Sequence, residues 1–179
     1  LPQPIGLYVH APFCVSKCVY CDFASYAGLA ADIPRYVDAV VREIARRGEE
    51  AGRPKADTIF LGGGTPSLLD ENQVTRILNA LFETFPIEED AEITCECNPG
   101  TLTASFARTL RKAGVNRLSL GAQAMQAHLL RLLGRIHDWN DVIASVEIAR
   151  EAEFDNINLD LMLGLPTQTV LEARETLDA

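Results

Sequence analysis

Cys14, Cys18 and Cys21 set three thiols in the spacing C-x3-C-x2-C. Thiolates are soft ligands that hold zinc or iron–sulfur clusters, and closed sites of either kind take four protein ligands. Three thiolates leave one iron of a cluster free to bind an exogenous ligand. Such an open position is what separates a catalytic metal site from a structural one. A structural zinc is the competing reading. His10 would complete a Cys3His set as H-x3-C-x3-C-x2-C, although a lone histidine on a strand is more often packed or hydrogen-bonded in a core. The tight clustering argues against a disulfide framework and for metal binding in a reducing compartment.

The cluster must be carried by something rigid. Five segments read as strands: Ile5–His10, Asp57–Leu61, Glu92–Cys97, Val115–Leu120 and Asn156–Leu163. Ile33, Tyr36, Val37, Val40, Val41 and Ile44 form one apolar stripe at helical spacing, with Asp32 as N-cap and Pro34 in the first turn. Val74, Ile77, Leu78, Leu81, Phe82 and Phe85 repeat the pattern behind an Asp70/Gln73 capping box. Thr103 caps a third helix that stops at Gly114. Trp139, Val142, Ile143, Val146 and Ala149 mark another, Leu129–Leu133 a short extra turn, and Leu171–Ala179 an unfinished helix. Gly48–Lys55 reads as a loop. Strands alternating with helices predict βαβ units and a parallel sheet.

Side chains alternate faces along a strand. Ile5, Leu7 and Val9, Ile93, Cys95 and Cys97, Leu118 and Leu120, and Ile157, Leu159, Leu161 and Leu163 are expected to pack on the helices. Cys95 and Cys97 therefore read as small buried hydrophobes rather than ligands. The opposite face carries Tyr8, His10, Glu96, Ser119, Gln123 and Asp160, which is unusually polar for a parallel sheet. A closed barrel would fill its lumen with branched apolar side chains. Here carboxylates, amides and hydroxyls point inward and need partners. The pattern predicts an α/β protein with a partial barrel whose concave face holds a polar ligand near the strands' C-terminal ends.

The chain has 179 residues, 47% hydrophobic and 23% charged, which suits one globular domain. A complete eight-stranded α/β barrel takes about 250 residues. Residues 1–179 are accordingly read as a core domain trimmed from a longer protein, its C-terminal part missing. A net charge of −9 disfavours nucleic acid as a partner. No apolar run reaches the ~18–20 residues of a membrane span, and no charged-then-apolar leader precedes Leu7. The expected location is the cytoplasm.

Residues 6–23, GLYVHAPFCVSKCVYCDF, resemble the opening of radical SAM proteins of the oxygen-independent coproporphyrinogen III oxidase type. The likeness continues in family order through FLGGGTPS (60–67), ECNPG (96–100), NRLSLGAQ (116–123), LGRIH (133–137) and DLMLGLPTQT (160–169). It implies a six-stranded partial barrel of the radical SAM type, of which this chain supplies about five βα units. It implies a [4Fe–4S] cluster on Cys14, Cys18 and Cys21, with S-adenosylmethionine chelating the fourth iron. One electron from the cluster would then cleave the sulfonium C–S bond to give methionine and a 5′-deoxyadenosyl radical. Gly63, Gly64 and Thr65 would contact the methionine end, and Arg135 its carboxylate, a task suited to a guanidinium. Glu96, Gln123 and Asp160 would meet the amino group or ribose hydroxyls. Tyr8 and Tyr20 would pack beside the cluster or adenosine, and Met162 beside adenine. The plainer alternatives stay open: a structural hydrogen-bond network, a solvated arginine, and core packing for the aromatics and Met162.

The decarboxylating branch of that family carries a further cysteine two residues after the third ligand. Here the position is Phe23. This favours the haem-chaperone branch, whose members bind haem and deliver it to acceptor proteins. The alternative is an oxidative decarboxylase converting coproporphyrinogen III to protoporphyrinogen IX. It stays open because the missing cysteine is not a cluster ligand. The expected partners are haem or coproporphyrinogen III, an electron donor and haem-acceptor proteins. A zinc-stabilised α/β binding domain is the third reading, and it predicts a colourless protein.

Overall fold

The computed structural model of the chain describes residues 3–179. Its strands are β1 (Ile5–Ala11), β2 (Phe13–Cys14), β3 (Tyr26–Ala27), β4 (Ala56–Gly63), β5 (Ile87–Cys97), β6 (Arg117–Gln123) and β7 (Asn156–Leu161). Its helices are α1 (Ile33–Ala51), α2 (Glu71–Thr84), α3 (Ala104–Lys112), α4 (Ala127–Leu132), α5 (Trp139–Glu151) and α6 (Val170–Asp178). Five strands form one sheet in the order β1-β4-β5-β6-β7, every pair parallel. Successive strands joined by helices and laid side by side make an open segment of a β/α barrel. β2 and β3 pair separately, beside the cysteine loop.

The helices form where the apolar stripes placed them, and one boundary departs from expectation. α1 continues through Gly48 to Ala51 and ends at Gly52, whose φ is 75°. The loop expected over Gly48–Lys55 is correspondingly shorter. Gly48 is there for packing: a Cβ would collide with the Thr84 methyl at the end of α2. Asp32 stands at the N-cap of α1 without a side-chain cap bond. At α2 the capping box is complete, with Gln73 N donating to Asp70 Oδ1 at 2.8 Å and Asp70 N to Gln73 Oε1 at 2.9 Å. Thr103 Oγ1 accepts from Phe106 N at 3.2 Å and starts α3.

The core lies between the sheet and the helices. Val37, Val74, Leu78, Leu110, Leu118 and Leu120 are fully buried there, each such side chain stabilising the fold by about 1.5–3 kcal/mol. Cys95 and Cys97 belong to this core, on the face that alternation gave them. The outer face of β7 departs from expectation. Ile157 packs on the core, but Leu159 and Leu163 are 37% and 62% exposed. α6 docks at the start of α4 instead: Met125 N donates to Thr176 Oγ1 at 3.2 Å and Gln126 Nε2 to Glu172 O at 2.9 Å.

Strand register stacks the inward-facing residues in layers. Tyr8, Phe60, Thr94, Arg117 and Asn156 are partners across the sheet in one layer. The next layer, toward the strands' C-terminal ends, pairs His10 with Gly62 and aligns Glu96, Ser119 and Asn158.

Candidate functional site

A cavity of about 390 Å³ opens at the strands' C-terminal ends. Cys14, Cys18 and Cys21 line it together with Tyr20, Gly63, Gly64, Thr65, Glu96, Gln123, Arg135, Asp160 and Met162. Tyr8 is the expected contact that lies elsewhere. It faces inward as alternation requires, but one layer too deep. Its ring centroid sits 6.1 Å from that of Phe60, and its hydroxyl is 3.0 Å from His10 Nδ1.

The cysteine loop is tied down by backbone contacts. Tyr26 N donates to Pro12 O at 2.8 Å, Cys21 N to Cys18 O at 3.2 Å, and Val19 N to Leu133 O at 3.2 Å. Lys17 Nζ donates to Phe23 O at 3.2 Å. His10 Nε2 donates to Ala24 O at 3.0 Å, which leaves Nδ1 to accept from Tyr8. Both ring nitrogens are thereby engaged, so His10 is not placed to be the fourth zinc ligand considered above. Among the described residues no three His, Cys, Asp or Glu side chains converge on one ion position. A single zinc needs its thiolates within about 2.3 Å of one point. Three thiols around a cavity suit a multi-iron cluster better.

The other two cysteines do not compete. A hydrogen bond with Cys97, then burial, pushes the Cys95 thiol well up, and a protonated thiol is a poor ligand. Cys14, Cys18 and Cys21 are free and half-buried.

The glycine turn after β4 brings a backbone wall against this loop. Gly64 N donates to Ala11 O at 2.8 Å, and a Cβ on Gly64 would fall 2.6 Å from Phe13 O. Only glycine permits that approach. It sets Thr65 Oγ1 3.8 Å from Cys14 Sγ. Gly63 N donates to Glu96 Oε2 at 3.0 Å. Burial pushes the Glu96 carboxyl up, the Gly63 N–H pulls it down, and Asp160 pushes it up further.

Arg135 spans the cavity wall. Its Nη2 donates to Asn98 Oδ1 at 2.9 Å and to Gly121 O at 2.7 Å, and its Nη1 lies 3.7 Å from Cys18 Sγ. Asn98 in turn donates to Thr65 Oγ1 at 2.8 Å. Across the cavity Ser119 Oγ donates to Asp160 Oδ2 at 3.1 Å, and Asn158 Nδ2 to Asp160 Oδ1 at 2.6 Å. Gln123 ends β6 in a left-handed conformation, φ 66°, and its carbonyl accepts from Met162 N at 2.8 Å. Asn98 is a site residue that the sequence reading passes over. It stands two positions beyond Glu96, where continued alternation also points inward. Phe23 lines the cavity as well.

The donor set fits a [4Fe–4S] cluster ligated three times by the chain: Cys95 and Cys97 are core residues, and Cys97, which also borders the cavity, is only 3% exposed. A cation beside one thiol and two carboxylates farther in suit a small ligand that carries both charges.

Residues 8–179 match the family model of the Radical SAM superfamily. The fold and cavity define an α/β partial barrel of that class. The chain belongs to the radical SAM superfamily, and membership implies a [4Fe–4S] cluster and S-adenosylmethionine. The heme chaperone HemW of Bacillus subtilis (strain 168) is 42% identical over 164 residues, covering 91% of this chain and 43% of the relative. HemW of Escherichia coli (strain K12) is 41% identical over 172 residues, covering 95% and 45%. The solved coproporphyrinogen III oxidase HemN from Escherichia coli superposes with a TM-score of 0.89 at 34% identity, covering 98% of this chain and 41% of that one. The chain thus spans less than half the length of these relatives. The family resemblance and the partial barrel expected from sequence are both borne out. Among the described residues no helix is long and apolar enough to cross a membrane.

Proposed function

We propose that this chain is the cluster-bearing core of a haem chaperone, which binds haem and passes it to acceptor proteins. The observation that carries this reading is Phe23 on the cavity wall, where the decarboxylating branch has a cysteine. The 42% and 41% identities to proteins named heme chaperone HemW support it, against 34% to HemN.

In this reading Cys14, Cys18 and Cys21 hold a [4Fe–4S] cluster. Tyr20, Gly63, Gly64, Thr65, Glu96, Gln123, Arg135, Asp160 and Met162 surround S-adenosylmethionine. Tyr8 is left out of the set because it lies a layer below. When bound, the pair supplies one-electron chemistry at a sulfonium carbon. The chain's own part is positional and electrostatic. Arg135, its Nη2 fixed by Asn98 and Gly121, presents positive charge to thiolates and to a carboxylate. Glu96, anchored through Oε2, and Asp160, held by Ser119 and Asn158, present acceptors to an ammonium or to hydroxyls. Phe23 keeps its side of the cavity apolar. An electron donor and haem-acceptor proteins are the partners, in the cytoplasm.

The second reading, a coproporphyrinogen III dehydrogenase, is supported by the TM-score of 0.89 to HemN. Incubating the full-length protein anaerobically with reductant, S-adenosylmethionine and coproporphyrinogen III separates the two. We expect stable haem binding on titration and no vinyl product. Vinyl-group formation would overturn the chaperone reading.

A further inference from the structure

Two buried side-chain polar atoms among the described residues lack a hydrogen-bond partner: Ser25 Oγ and His137 Nδ1. Ser25 is 2% exposed, yet it lines the cavity shared by the three cysteines. Leaving a buried hydroxyl without a partner is destabilising. Such an atom calls for an acceptor that the chain itself does not supply.

The backbone around Ser25 is fixed. Ser25 N donates to Phe23 O at 2.7 Å and Tyr26 N to Pro12 O at 2.8 Å. The carbonyl of Ala24 is held by His10 Nε2. β3 pairs with β2 so that Ala27 partners Cys14 and Tyr26 partners Phe13. Ser25 therefore stands alongside the segment that carries the first cysteine and lines the same cavity as the three thiols. The sulfurs of a cluster would be the hydrogen-bond acceptors in that space.

We propose that Ser25 donates its hydroxyl hydrogen to a sulfur of the iron–sulfur cluster and thereby raises the cluster's reduction potential. This rests on the reading of Cys14, Cys18 and Cys21 as cluster ligands. Reduction adds negative charge to the sulfurs, and a hydrogen bond to them stabilises the reduced form more than the oxidised one. Ser25 is a positioning and tuning residue in this account and supplies no ligand.

The test is an EPR-monitored redox titration of the full-length protein, reconstituted anaerobically and without S-adenosylmethionine. Ser25→Ala is expected to hold wild-type amounts of iron and sulfide but to titrate at a lower potential. Ser25→Thr, which keeps the hydroxyl, returns the midpoint toward the wild-type value. The reduced wild type should also show a hyperfine coupling from an exchangeable proton, by ENDOR, that is removed in deuterium oxide and absent in Ser25→Ala. If the alanine variant fails to fold, Ser25→Thr and the wild type still test the claim, because a wild type with no such coupling overturns it. Equal midpoints for the wild type and Ser25→Ala would overturn the proposal. So would a shift that appears only after S-adenosylmethionine is added, since the hydroxyl would then serve that ligand. Cys14→Ser keeps the two claims apart. If it loses its iron while Ser25→Ala keeps both iron and midpoint, the cluster reading stands and this proposal falls. A wild type that takes up no cluster overturns both.

Discussion

Cys14, Cys18 and Cys21 occupy a loop at the strands' C-terminal ends, half-buried and facing a cavity. Cys95 and Cys97 occupy the middle of a parallel sheet, packed against the helices. The side chain is the same and the surroundings are opposite. In the loop a cation lies 3.7 Å from Cys18 Sγ, and space is left beside the thiols. In the core the neighbouring thiol and burial hold Cys95 protonated. A thiol must be accessible to bind metal; the first group is half-buried around the cavity, whereas Cys95 is fully buried and Cys97 nearly so. Placement relative to the strand ends therefore separates the cysteines we propose as ligands from those that pack as small hydrophobes.

The largest effect should come from crossing that division. Cys14→Ser is expected to lose nearly all reconstituted iron, by iron and sulfide analysis and visible absorbance. Cys95→Ala should keep it. Iron loss in Cys95→Ala would break the comparison.

Next comes the cation that distinguishes the loop. Arg135→Lys cannot keep both the Asn98 and Gly121 bonds and also face the thiols. Losing a charged hydrogen bond costs about 1.5–3 kcal/mol, so S-adenosylmethionine should bind roughly tenfold to a hundredfold more weakly. Equilibrium dialysis on the reconstituted protein reads this directly.

On the core side the effect is on stability alone. Cys95→Ala should lower the unfolding free energy by about 1–2 kcal/mol, read from the urea midpoint, with the affinity for S-adenosylmethionine unchanged.

The smallest effect is a pH slope. Burial above all, with Arg135 adding, lowers the His137 pKa. As pH falls, the unfolded chain takes up this proton before the folded one does. The associated stability is complete above the ordinary imidazole value of about 6.5 and is lost as pH drops toward the lowered folded value. His137→Gln should flatten the urea-midpoint profile in that acidic range. An unchanged slope would contradict this.

The division between the two cysteine groups was legible in the residues because period-two alternation is rigid. It placed Cys95 and Cys97 outward and Glu96, Gln123 and Asp160 on the lumen side. Depth was not legible. Tyr8 has the expected face but sits one layer below the cavity, because depth depends on register between strands, which no single strand's pattern states. Gly48 read as a breaker because propensity is local, whereas its role is the close approach of α1 to Thr84. Leu159 and Leu163 read as buried because apolarity predicts burial only when a neighbour arrives, and α6 packs against α4. Ser25 gave no signal at all: it sits in a loop, where no periodicity assigns a side chain to a face.

In the proposed reading the chain provides three ligands and leaves one iron open beside a cavity that suits a charged small molecule. EPR of the reduced, anaerobically reconstituted full-length protein, recorded with and without S-adenosylmethionine, tests it most directly. A [4Fe–4S] signal is expected whose g-values shift when S-adenosylmethionine is added. A signal that stays the same after that addition, at concentrations well above any physiological level, would contradict it.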